Sequence, residues 1–445
     1  MNKIEKFFMM LPLAALMLTI ASCSKPGADT PADDEALFEI IPDSVCEYTV
    51  DEWADLVFGP EGSNADEDMA QLRAAFLESA REKEAALEQE LGVNGLAMGY
   101  ISYGFTYSSK DADGITRRLS ARVGWGRYWL LFKWYNLDPN NIFLYSHPTY
   151  TASSECPSED GSLELGLITN DNLLIMPDGL GYSASGQCTI PYMDRETAAK
   201  NAIDALEPAM AVFRKYGSGT LEDDWKLRVL GCSDGAATAL AIHKYLDTHD
   251  DLADKWRFDY SYCCAGPYDP ALTARLWLQK KRVPFPVSVP LLIKSMLARY
   301  PDVLGDYDED EFYSDRYLAG KAAIDEDLRL KRIAAEDMND KIDDVLGEVA
   351  PGLDVFLSAE AQDLDSDLCK DFMTCLERNN LTTGWTPKHK IKLFYSGFDY
   401  VVPPENTEAV KNAFGDMVET TWNNETAVII RWQGIYQHAL TKYWI

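Results

Sequence analysis

The sequence predicts an α/β protein: a mostly parallel central sheet flanked by helices, with a helical cap inserted late in the chain. Three observations carry this. Short apolar runs at 142–146, 172–176, 228–230, 259–265, 391–395 and 427–432 alternate with segments of helical spacing, the pattern of parallel strands buried on both faces. Ahead of them, strand-like segments at 99–108 and 115–123 flank Asp113-Gly114, a hairpin turn that makes the start of the sheet antiparallel. From 270 to 386 the strand signal disappears, and helical patterns separated by proline, glycine and acidic runs replace it.

In chain order, residues 1–22 read as a lipoprotein signal peptide. Lys3 and Lys6 precede an apolar run, 7–20, that is too short to span a bilayer stably. The run closes on Leu18-Thr19-Ile20-Ala21-Ser22-Cys23, which resembles the lipobox of bacterial lipoproteins and makes Cys23 the lipidation site. Residues 23–50 are a flexible tether, with Pro26, Gly27 and Pro31 in a polar stretch. Residues 51–97 form an N-terminal helical segment, helical in spacing from 66 to 91. Residues 98–270 and 387–445 are the two parts of the sheet-bearing core, and 271–386 are the cap. Helices are expected at 195–216 and 236–245, at 289–299, 316–346 and 353–376 in the cap, and at 406–414 between the last two strands.

The 445 residues are 47% hydrophobic and carry a formal charge of −31. That balance describes a globular chain with a soluble acidic surface and argues strongly against nucleic acid or an anionic membrane surface as partner. Contact with a membrane is expected through the lipid anchor only. An exported chain of this kind belongs to a bacterial membrane, in the first instance the outer membrane, with its folded part in water. No C-x-x-C or His/Cys cluster suggests a metal, and no cofactor is implied.

Residues 231–235, Gly-Cys-Ser-Asp-Gly, fit G-x-S-x-G between an apolar run and a helix. This is a nucleophile elbow, a sharp strand-to-helix turn that presents Ser233 above the sheet, with the helix N-terminus beneath it. A serine hydroxyl needs a base, and the chain has five histidines. His243 lies ten residues along the following helix, roughly 15 Å from the serine. His249 ends that helix, His389 opens a strand at the opposite edge, and His147 follows an earlier strand and orients its loop. His438, in the loop after the final strand, remains as the base. Asp399, in Ser-Gly-Phe-Asp-Tyr-Val-Val-Pro after the penultimate strand, is the acid that would hold its imidazole. Oxyanion donors are expected from the backbone of Asp234 and from Thr149 after Pro148, with Tyr150 in reserve. Cys156 and Cys188 fall in loops above this edge and form a possible disulfide; Cys263 and Cys264 read as core thiols.

His147-Pro148-Thr149, Pro177-Asp178 with Gly181-Tyr182, the serine elbow, the Asp399 loop and a terminal His438 together resemble the secretory lipase branch of the α/β-hydrolases, over residues 98–445. That resemblance implies ester hydrolysis through an acyl-enzyme, a small-molecule or lipid ester as substrate, and a helical lid over an acyl pocket. Cys232 and Asp234 depart from the aromatic residue and glutamine usual around the serine, and Gly179 and Ser183 depart from the usual loop. The Asp234 carboxylate is expected to disfavour anionic substrates. Two other readings share the residues. A serine peptidase of the prolyl oligopeptidase type normally carries a large propeller, for which too few residues precede the first strand. A non-catalytic binding lipoprotein would keep the fold without the chemistry. Within the cap, Phe285, Val287, Val289, Leu291, Leu292 and Ile293 are either cap core or a surface that meets an acyl chain.

Overall fold

A sheet of eleven strands organises the described residues, 37–61, 67–160 and 172–423 of a computed structural model. The chain runs through β1 (Glu39–Ile40), β2 (Cys46–Thr49), α1 (Val50–Phe58), α2 (Glu67–Leu91), β3 (Ala97–Lys110), β4 (Thr116–Leu130), β5 (Lys133–Asn136), β6 (Asn141–Ser146), a short α3 (Pro157–Asp160) and β7 (Asn172–Pro177). Then follow α4 (Arg195–Asp204), α5 (Leu206–Tyr216), β8 (Lys226–Cys232), α6 (Asp234–Asp247), α7 (Asp250–Lys255) and β9 (Phe258–Cys264). The cap holds α8 (Pro270–Lys280), α9 (Ser288–Arg299), α10 (Pro301–Leu304), α11 (Asp315–Leu330), α12 (Ala335–Leu346), α13 (Leu353–Phe356), α14 (Ala359–Gln362) and α15 (Asp367–Glu377). Strand β10 (Lys390–Ser396), α16 (Glu405–Phe414) and β11 (Val418–Asn423) complete the described chain.

The order across the sheet is β1-β3-β4-β7-β6-β8-β9-β10-β11. Pairs from β7 to β11 are parallel, and the β1–β5 side is antiparallel. The winding reverses between β6 and β8, so their C-terminal loops open a crevice there. Along β6 the side chains alternate, with Ile142 and Leu144 packing on α4–α6 and Phe143 and Tyr145 packing on the other face. That second face is covered by α1 and α2, through Trp53, Phe58 and Phe76. A strand buried on both faces reads as a continuous apolar run, which is why this half of the sheet was visible in the sequence.

The differences have local causes. The expected tether to residue 50 is, from Glu39, part of the sheet edge, in strands of two and four residues that are too short to leave a period. The helix expected over 195–216 breaks at Ala205, because Pro208 has no N–H to offer Asp204. The one over 316–346 breaks after Lys331, which is left-handed at φ 52°. The one over 353–376 is three shorter helices, α13 to α15. The strand next to β10 is Val418–Asn423, an edge strand whose Glu and Thr residues hide it from a search for apolar runs. The expected strand 427–432 lies outside the described residues.

A buried ion network ties the far end of the elbow helix to β10. Asp247 accepts from His243 Nε2 at 2.9 Å and His389 Nδ1 at 2.5 Å, and from the Lys388 backbone at 2.7 Å, while His243 Nδ1 meets Ser261 Oγ at 2.7 Å. These residues form a Ser-His-Asp constellation, but all three side chains are sealed from solvent, so it is structural. Burial alone would raise the Asp247 carboxyl; hydrogen bonds from the two histidines outweigh it and hold it well below the carboxylate range. Burial lowers the His243 imidazole, against the pull of Asp247. Both shifts make the unfolded chain bind more protons in acid, so stability falls with pH, from about 6.5 for the histidine and about 4 for the carboxyl. Asp247→Asn is expected to lower Tm at pH 7 by several degrees. It should also flatten the acid limb below about pH 4. Melting curves from pH 3 to 7 check this, and parallel limbs for the two proteins would refute it.

Candidate active site

Strand β8 delivers Ser233 into the turn with φ 57° and ψ −123°, and α6 begins at the next residue. A side chain tolerates this left-handed backbone only under constraint, and here the constraint is steric. A Cβ on Gly231 would stand 2.0 Å from the Gly235 carbonyl oxygen, and one on Gly235 would stand 2.1 Å from the Ser146 oxygen. The turn closes on itself and on the end of β6, whose Ser146 pairs with Gly231. The Ser233 N–H donates to the Cys264 carbonyl at 2.8 Å, tying the turn to the end of β9.

Ser233, Asp234 and Thr149 line one cavity of about 110 Å³ beneath the cap. Its remaining walls are mainly apolar, with Trp277, Phe285, Val289, Leu292, Phe312 and Phe372 among them. The six-residue cap segment therefore divides. Val287 and Leu291 are buried in the cap core, Phe285, Val289 and Leu292 line the cavity, and Ile293 does both. Thr149 is buried and its hydroxyl meets the Tyr192 hydroxyl at 3.0 Å. The His147 ring lies between the carbonyls of Pro148, 2.6 Å, and Asp178, 2.8 Å, and stacks on Tyr150 at 4.3 Å. It orients this loop, as its position in the sequence suggested.

Asp399 is buried three residues beyond β10, and its Oδ1 accepts from the backbone N–H groups of Val401 and Val402 at 2.9 Å each. Val401 and Val402 line the same cavity as Ser233, so the loop that carries Asp399 and the serine converge. His438 and Cys23 lie outside the described residues. The four described histidines are held elsewhere: His147 as above, His243 and His389 on Asp247, and His249 on the Tyr245 carbonyl at 2.8 Å.

Two expectations change. Asp234 does not stand as a bare charge beside the serine, because Arg195 Nη1 reaches its Oδ1 at 2.8 Å, with the arginine side chain 4% exposed. The repulsion expected for anionic substrates is thereby offset. Nothing in sequence links residues 39 positions apart, and no local pattern could have found this pair. Nor is the Cys156–Cys188 bridge formed. Both are free thiols, with Cys156 packed in the cap-side core and Cys188 against the sheet-side core. Burial keeps Cys156 protonated by pushing its thiol far up. Cys263 and Cys264 are buried core thiols, as expected, and burial pushes Cys263 up to about 12.

A supporting layer beneath the His147 loop was also missed. The buried Asp178 carboxylate binds the hydroxyls of Ser120 and Ser158, each at 2.5 Å, and the Ser158 N–H at 2.9 Å. Asp178 was visible as part of Pro177-Asp178-Gly179, but its partners come from β4 and α3. Among the described residues no group of His, Cys, Asp and Glu forms a metal cluster, and no helix is long and apolar enough to cross a membrane.

No protein-family model matches the chain, and neither does any curated protein sequence. Solved structures do match. The rice cell wall degrading esterase LipA from Xanthomonas oryzae is 20% identical, with a TM-score of 0.61 over 81% of this chain and 92% of that one. A Legionella pneumophila protein provisionally named a hydrolase is 16% identical, with a TM-score of 0.65 over 92% and 98%. Candida antarctica lipase A in its closed state is 13% identical, with a TM-score of 0.52 over 77% and 78%. The chain has the α/β-hydrolase fold. Esterases and a lipase are among the proteins that share it.

Proposed function

We propose that the chain is a serine carboxylic-ester hydrolase of the esterase/lipase kind, acting through an acyl-enzyme on Ser233. The observation that supports this most is a serine in a left-handed strand-to-helix turn, opening on an apolar cavity. In this reading His438 takes the proton as Ser233 Oγ attacks the ester carbonyl, and Asp399 stabilises the imidazolium. The backbone N–H groups of Asp234 and Thr149 receive the oxyanion, helped by the N-terminus of α6. Collapse breaks the ester bond, and the alcohol leaves with the proton from His438. Water, deprotonated by the same imidazole, then attacks the acyl-serine and frees the acid.

The cavity receives the acyl chain. Each methylene buried there is worth about 0.8 kcal/mol, roughly fourfold in kcat/KM, so rates on nitrophenyl esters rise from acetate towards longer acids. Acylation of Cys23 tethers the protein to a bacterial membrane, the outer one in this reading, with the catalytic domain in water.

A fluorophosphonate probe is expected to label Ser233, located by mass spectrometry of the digested protein, and nitrophenyl esters should turn over faster than proline-containing chromogenic peptides. Absence of labelling would point instead to a binding lipoprotein, and preference for the peptides to a peptidase.

A further inference from the structure

The β4–β5 hairpin carries a feature that the active site does not use. Leu130 pairs with Lys133, so Leu131 and Phe132 alone make the turn. Both are left-handed, at φ 50° and 67°, the two-residue turn that favours Asn-Gly and is disfavoured for large side chains. Both are also among the most exposed apolar residues described, at 77% and 90%. A sequence that placed leucine and phenylalanine here for folding alone would face both penalties.

Behind the tip the ribbon carries aromatic pairs: Trp129 against Trp134, ring centroids 5.4 Å apart, and Tyr128 stacked on Tyr135 at 5.4 Å. Residues 129–135, Trp-Leu-Leu-Phe-Lys-Trp-Tyr, hold one cation and no acid, in a chain with 72 acidic residues. Arg127 lies over the Trp134 ring at 4.1 Å and Lys133 over Tyr135 at 5.1 Å. An apolar tip backed by an aromatic collar, with the exposed Lys133 beside the tip, matches the acyl-chain and interfacial layers of a phospholipid surface; Arg127 is buried and paired with Glu47 at 2.8 Å. Two tip side chains are also far too little for a stable protein interface, which buries about 1,200–2,000 Å².

The geometry points to the Leu131–Phe132 hairpin as a contact that dips into a phospholipid bilayer. Strand β4 runs antiparallel to β7, pairing Ala121 with Pro177 and Gly124 with Leu174. Its far end therefore projects beyond the N-terminal edge of the parallel strands, opposite the edge that carries Ser233. A molecule resting on this hairpin turns its active-site edge towards water, and draws ester from the aqueous side rather than from the bilayer beneath it. The contact does not depend on the reading of Ser233 as nucleophile.

The test is hydrogen–deuterium exchange of the full chain with and without phosphatidylethanolamine/phosphatidylglycerol vesicles, read at residues 128–136. Vesicles are expected to slow exchange there at least fivefold in the parent and to leave Leu131→Asn/Phe132→Gly unchanged. That double variant installs the favoured turn, so its Tm should equal or exceed the parent's, and turnover of a soluble ester should not change. Equal exchange in the parent with and without vesicles overturns the proposal. So does protection that grows with protein concentration in the absence of lipid, which would make the tip a self-association contact.

Discussion

Replacing Ser233 by alanine is expected to lower kcat/KM for nitrophenyl esters by at least about 10³-fold while leaving Tm within a few degrees of the parent. The loss follows from chemistry: without Oγ no acyl-enzyme forms, and a water attacking directly has only the oxyanion donors and the cavity to help it. The retained stability follows from structure, since the turn is held by Gly231, Gly235 and the Ser233 N–H bond to Cys264, none of which involves the hydroxyl. His438→Ala should cost a comparable factor, and the double variant little more than either alone, because residues that act as one unit lose their function together. Full activity in Ser233→Ala, or additive losses in the double variant, would remove the proposed mechanism.

Gly235→Ala is expected to be, with Gly231→Ala, among the most damaging small substitutions in the described chain. Its Cβ would lie 2.1 Å from the Ser146 oxygen and 2.4 Å from the His147 oxygen, both backbone atoms that no rotamer change can move. Relief requires α6 to back away from β6, which opens the crevice at the winding reversal and displaces the His147–Thr149 loop. A loss above about 4 kcal/mol is expected, enough to prevent recovery of folded protein. Gly114→Ala is the control: its φ is 77° but nothing lies within 4 Å of the added carbon, so only the strain of about 1–2 kcal/mol remains. Thermal melting of the two variants separates steric closure from backbone strain, and similar Tm losses would show that the elbow is looser than its geometry implies.

The parts of the fold that were legible share one property, burial on both faces. Strands β6, β7, β8 and β9 each contribute side chains to two cores; β6 and β7 read as unbroken apolar runs over 142–145 and 173–176, while single polar residues, Arg228 in β8 and Asp259 and Ser261 in β9, interrupt the other two. Strands β1, β2, β5 and β11 lie at edges or in a ribbon, carry polar residues on an open side, and left no run to find. The breaks in the long helices were partly legible, since Pro208 announces one; Lys331, an ordinary lysine in a left-handed conformation, announces nothing. The six cap residues could be read either way because helical spacing gives two faces of an amphipathic helix without saying what stands opposite each.

The chemistry of the site divides along the same line. Sequence alone determined the elbow, because its glycines and serine must be adjacent in the chain for the turn to exist. It also determined the position of Asp399, because a strand end and the turn after it are local features. Only the tertiary structure decided what surrounds them: the Arg195 guanidinium on Asp234, the Asp178 carboxylate beneath the His147 loop, and the apolar cavity between cap and sheet. Each of these is a meeting of segments far apart in sequence, and charge neutralisation, hydrogen bonding and exclusion of water depend on distance in space, which adjacency in the chain does not encode.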